Sequence, residues 1–188
     1  MKIVFMGTPD FSVNSLESLI AAGHEVAAVV TQPDKKKGRG EKVQFSPVKE
    51  AALKYGLTVY QPKKVRDEEF VNIIKEIAPD VIIVIAFGQI LSKEILELAP
   101  YGCINVHASL LPKYRGAAPI QWAVIDGEEK SGVTTMQMDE GIDTGDILET
   151  VEVILDAKET GGSLFDKLAI EGAKLIVHTL ENAKNGKL

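Results

Sequence analysis

With 188 residues, 45% hydrophobic and 26% charged, the chain has the length and balance of one soluble globular domain with a substantial core. No run approaches ~18 consecutive apolar residues, which argues against a membrane-spanning helix, and a formal charge of −6 argues against a protein that coats nucleic acid, though not against a local basic patch. The single cysteine, Cys103, rules out an internal disulfide and any cysteine-rich zinc site, and the N-terminus MKIVFMGTPDF is too briefly apolar for a signal peptide, so a cytoplasmic protein is expected.

In chain order, residues 2–6 (KIVFM) predict a short strand ending at Gly7. Thr8 is the expected N-cap of a first helix, with Pro9 at its first position. Phe11, Leu16, Leu19 and Ile20 supply that helix's apolar side, and Gly23 ends it. Residues 25–30 (EVAAVV) and 58–60 read as further strands. The clearest strand is 80–87 (DVIIVIAF), a continuous β-branched run expected of a parallel strand covered on both faces. Residues 103–106 and 133–139 follow, then an added strand over 147–155 and a long closing helix over 164–180. Strands separated by helix-length segments predict an α/β fold with a doubly wound, mainly parallel, Rossmann-like sheet and helices on both faces.

The strand–glycine–helix turn at Gly7 to Asp10 has one glycine, where a dinucleotide fingerprint needs three. It predicts a plain turn at the active edge rather than a nicotinamide site, and no P-loop is present. In open α/β sheets, ligands bind beyond the carboxyl ends of the strands. Three segments of unusual composition fall there: 87–91, 105–119 and 136–146. Asn105 and His107 share one face if the strand persists through them. A carboxamide beside an imidazole can hold an oxyanion while the ring moves a proton. The ring needs an orienting partner, for which Asp139, Asp143 and Asp146 are the candidates. The bland reading is a satisfied structural histidine, the reading given to His24 and His178. His107 has no neighbouring ligand set for a metal, and Ser109 lacks the G-x-S-x-G elbow of a hydrolase.

N-x-H followed by SLLPKYRGAAPI and MDEGIDTGDI resembles the folate-dependent formyltransferases. The likeness runs through the whole chain and is nearest to the catalytic domain of the methionyl-tRNA branch. GTPDF, the GRG loop within TQPDKKKGRGEKVQFSPVK, and TTMQMDEGIDTGDI carry it. Ser92 departs from the pattern, where a proline is expected. The resemblance implies 10-formyltetrahydrofolate as formyl donor, the α-amine of methionyl initiator tRNA as acceptor, and no metal. It assigns Asn105 and His107 to the oxyanion and Asp143 to His107. It places the pterin against Phe87, Gly88, Gln89, Ile90 and Leu91 and against Asp139, Glu140, Gly141 and Ile142, with Ser109, Leu110, Leu111 and Pro112 shaping the pocket. It sets Lys35, Lys36, Lys37, Arg39 and Lys42 against the tRNA, as part of a segment with five basic and two acidic residues. Residues 1–188 are then a catalytic domain, expected to be monomeric, and the RNA-binding C-terminal domain that the resemblance implies is not part of this sequence. The rival readings are a formyltransferase for a small amine, such as a glycinamide ribonucleotide or an amino sugar nucleotide, and a non-catalytic folate-binding module.

Overall fold

The computed structural model describes residues 1–40 and 42–188; Glu41 and the side chain of Lys37, one of the basic residues assigned to tRNA, lie outside the described residues. Among the described residues, β1 (Lys2–Gly7), β2 (Glu25–Val30), β5 (Val59–Tyr60), β6 (Val81–Ile85), β7 (Cys103–His107), β8 (Lys130–Gln137) and β9 (Ile147–Ile154) form one sheet. Its order is β5-β2-β1-β6-β7-β8-β9. The first five strands pair in parallel, and β8 and β9 join antiparallel. The mainly parallel, doubly wound expectation is met, with an antiparallel edge.

The lack of alternation in β1 and β6 follows from burial on both faces. Ile3, Phe5, Ile83 and Ile85 pack in one core with Phe11, Leu16 and Leu19 of α1 (Asp10–Ala21) and Leu168, Ile176 and Leu180 of α6 (Gly161–Lys184). Val4, Met6, Ile82 and Val84 pack in the other with Phe70 and Ile74 of α3 (Glu68–Ile77) and Ile95 of α4 (Lys93–Leu96). On β7, Ile104 and Val106 face the first core and Cys103 the second. Period-two geometry therefore turns Asn105 and His107 to the Cys103 side. Burial pushes the Cys103 thiol up to about 12, which keeps it protonated and inert.

Two local expectations are corrected. Thr8 does not cap α1: Pro9 occupies the N-cap position without a side-chain bond, and the Thr8 hydroxyl donates to Phe87 O at 2.8 Å. A proline has no side-chain oxygen to offer, and the threonine is drawn across to the end of β6. The basic segment is also more ordered than a loop. β3 (Lys35–Lys37) and β4 (Lys42–Gln44) pair antiparallel, with Gly38 (φ 80°) and Gly40 (φ 111°) in the turn between them. Its root is fixed by Asp34, whose carboxylate meets Lys49 at 2.8 Å and Gln61 at 2.7 Å. Those bonds hold the Asp34 carboxyl below its usual range. Beyond it lie α2 (Pro47–Lys54), capped by Ser46, and α5 (Pro119–Ile125), which follows β7. No described helix is long and apolar enough to cross a membrane.

Candidate active site

A cleft of about 800 Å³ opens at the carboxyl ends of β1, β6 and β7, beside the point where strand order reverses, which is where this class of sheet binds ligands. His107 ends β7 and is 8% exposed. Its Nε2 lies 2.7 Å from Tyr114 O. A carbonyl only accepts, so Nε2 carries a proton, which leaves Nδ1 as the ring nitrogen facing the cleft chemistry. Nδ1 faces Asp143 Oδ2 at 3.5 Å. Of the three candidate aspartates, Asp143 is thus the one beside the ring.

The loop after β8 explains the choice. Asp143 sits in the left-handed region at φ 52°, a conformation aspartate tolerates better than most residues. That backbone turns its carboxylate onto Gly116 N at 2.7 Å, while Arg115 Nε donates to its carbonyl at 2.9 Å. Asp139 is used within the loop: it accepts from Thr144 Oγ1 at 2.7 Å and from Gly141 N at 2.9 Å. Those bonds lower its pKa. Asp146 lines a separate cavity at the β8–β9 edge. A side chain at Gly145 would overlap the main-chain carbonyl of Gln137, so only glycine closes this loop.

Asn105 donates from Nδ2 to Val84 O at 2.8 Å. Its Oδ1 is buried without a partner among the described residues. Leaving a buried acceptor unpaired costs about 1–3 kcal/mol, and such groups in a folded protein call for an explanation. One Nδ2 hydrogen remains for a ligand oxygen, because a carboxamide nitrogen has two.

The cleft wall is apolar. Phe87, Gly88, Gln89 and Ile90 line one side and Ile142 and Met138 another. Ile90 is 82% and Ile142 69% exposed, a pair of apolar lips suited to a flat heterocycle. Not every residue assigned to the pocket reaches it. Leu91 is buried in the second core with Ile95. Ser109 is buried and donates to Lys113 O at 2.7 Å, so its hydroxyl is occupied. Leu110, Leu111 and Pro112 line a different cavity with Glu128 and Ser131, because the chain turns away from the cleft after Ala108. Asp139, Glu140 and Gly141 form the loop behind Ile142 and are not among the lining residues. Conversely, the pocket assignment omitted Ala86 and the run Gly116-Ala117-Ala118, all of which line the cleft. Ala86 (φ 49°), Gly116 (φ 88°) and Ala118 (φ 58°) have left-handed backbone. The only sequence signal was a cluster of small residues, which permits close backbone approach. Among the described residues no group of three His, Cys, Asp or Glu could hold a metal.

Fold and site together define an open α/β protein whose cleft presents a carboxamide, an imidazole and a carboxylate to one point. The formyl transferase family model matches residues 1–180, and the chain belongs to that family. It is 63% identical over 186 residues to a methionyl-tRNA formyltransferase from Agathobacter rectalis, covering 99% of this chain and 60% of that protein. A methionyl-tRNA formyltransferase from Clostridioides difficile is 59% identical over 186 residues, with the same shares covered. The chain thus spans about 60% of the length of these relatives. A solved phosphoribosylglycinamide formyltransferase from Bacillus halodurans superposes with a TM-score of 0.80 at 22% identity, covering 97% of this chain and 95% of that one. At that identity the likeness concerns the fold.

Proposed function

We propose that this chain moves a formyl group from 10-formyltetrahydrofolate to the free α-amine of methionyl initiator tRNA. The observation that carries the proposal is the meeting of Asn105, His107 and Asp143 at one apolar cleft. The amine nitrogen bonds to the formyl carbon, and the carbonyl electron pair moves onto oxygen. The free Nδ2 hydrogen of Asn105 and a protonated His107 Nδ1 hold that oxyanion, which forms in a site already arranged for it. Asp143 is the counter-charge to the protonated ring and takes up the proton shed by the attacking nitrogen. As the carbonyl reforms, the bond to N10 of the folate breaks, and the proton that Asp143 took up passes to N10, which restores the carboxylate. The cleft suits the donor, with Ile90 and Ile142 to cover a pterin and the unpaired Asn105 Oδ1 to accept from an N–H donor.

The basic hairpin supports the tRNA as acceptor. Lys35, Arg39 and Lys42 are exposed on a chain of net charge −6, which fits phosphate contact. The turn into α1 is unsuited to a phosphorylated small amine, because Asp10 occupies the first turn of the helix where a phosphate would seek positive potential. The test is transfer of labelled formyl to charged initiator tRNA, glycinamide ribonucleotide and an amino sugar nucleotide in parallel. Transfer to the tRNA at least about tenfold faster supports the proposal; preference for either small amine replaces it.

A further inference from the structure

Two carboxamides interlock behind the cleft wall. Gln89 Nε2 donates to Gln32 Oε1 at 2.9 Å and to Pro62 O at 3.0 Å, while its Oε1 accepts from Val65 N at 2.7 Å. Gln32 Nε2 donates to Gly88 O at 2.9 Å. The main chain of Gln32 is held in turn: its carbonyl accepts from Gln61 Nε2 at 3.2 Å, and its N–H reaches Thr8 Oγ1 at 3.4 Å. With Thr8 donating to Phe87 O, the carbonyls of both Phe87 and Gly88 are drawn onto the Thr8–Gln32 side. Across a trans peptide the next N–H points the opposite way. The N–H groups of Gly88 and Gln89 are therefore turned away from Thr8 and Gln32. Ala86 at φ 49° and Gly88 at φ 95° are left-handed here, and a conformation of that kind persists where surrounding structure holds it. Gln32 itself does not line the cleft.

We propose that Gln32 and Gln89 form a positioning pair for the reduced-folate donor. The pair fixes the peptide planes of the Phe87–Gln89 wall, so that the N–H groups of Gly88 and Gln89 meet acceptor atoms on the edge of the pterin. Gln32 also leads into the basic hairpin, whose root residue Asp34 shares Gln61 with it. Donor wall and hairpin root thus belong to one hydrogen-bonded network. The inference rests on the folate reading above.

The test uses Gln32→Glu and Gln32→Ala, with equilibrium binding of the unreactive donor analogue 5-formyltetrahydrofolate by calorimetry, donor KM, kcat and melting temperature. Gln32→Glu keeps an acceptor for Gln89 and loses the donor to Gly88; Gln32→Ala loses both without adding charge. Both variants should weaken analogue binding by about tenfold, the worth of one well-placed hydrogen bond. Donor KM should rise in parallel, while kcat at saturating donor stays within about threefold. Analogue affinity unchanged in both variants, with only the melting temperature lowered, would make the pair an ordinary surface contact and overturn the inference. A fall in kcat without a change in affinity would overturn it too, by placing Gln32 in the chemistry. Failure of the wild-type chain itself to bind the analogue would overturn the folate reading first, and the inference with it.

Discussion

Replacing Asp143 by asparagine removes one charge and one proton acceptor while leaving the shape of the side chain almost unchanged. The carboxamide can still accept from Gly116 N, now 2.7 Å away, and asparagine is at ease at the φ of 52° found there. The loop should therefore keep its shape and the protein its melting temperature. What is lost is the counter-charge 3.5 Å from His107 Nδ1, together with the acceptor for the proton of the attacking nitrogen. Two unit charges ~4 Å apart attract by ~4 kcal/mol at an effective dielectric of about 20, equivalent to roughly three decades in rate. The Asp143 side chain is 15% exposed, so water offsets part of that loss, and a fall in kcat of about 10²-fold is expected. The assay is formyl transfer with both substrates saturating, beside a folate-analogue titration that should move little. Turnover within about threefold of wild type, in a preparation shown to be folded, would refute the argument that this carboxylate supports a protonated imidazole.

Four further outcomes follow from the same geometry. Gly145→Ala should displace the loop over residues 139–146, because the added Cβ overlaps the Gln137 carbonyl; a shift of ~1 Å at Asp143 corresponds to a loss of up to ~10²-fold in turnover, readable by kinetics and by the altered amide signals of that loop. Arg39→Ala with Lys42→Ala should flatten the slope of log tRNA affinity against log salt by roughly 1 to 1.5, leaving folate affinity unchanged. Thr160 caps α6 and exchanges bonds with Ser163, so Thr160→Ala should cost about 1 kcal/mol and lower the melting temperature by about 2–4 °C. With its thiol pushed up to about 12 by burial, Cys103 gains reactive thiolate only as pH rises through that value; a thiol reagent at pH 8 to 9 should therefore label it only after unfolding.

The strand cores were legible because two-sided burial leaves an unbroken β-branched run, as in VIIVI of β6. The Asn105–His107 pair was legible because a strand repeats every two residues and β7 persists through both. Asp143 was not distinguishable from its neighbours by pattern. Its selection depends on a left-handed backbone and on Gly116 folding back from another loop, neither of which has a sequence period. Adjacency misled for Leu110, Leu111 and Pro112: they follow His107 closely in sequence but line another cavity. Leu91 is similar, carried into the core by the chain's descent toward α4. Ala86 and Ala118 went unrecognised because alanine gives no hint of positive φ, unlike glycine or asparagine. The Gln32–Gln89 contact joins residues 57 apart in sequence, beyond the reach of any local motif.

In the proposed transfer, Asn105 and His107 together hold the formyl oxygen. The most direct measurement is a crystal structure of the chain with a formylated reduced folate. The pterin is expected between Ile90 and Ile142, with the formyl oxygen about 2.7–3.1 Å from both Asn105 Nδ2 and His107 Nδ1. A folate bound in this cleft with its formyl group turned away from both side chains, or bound in another cavity, would contradict it.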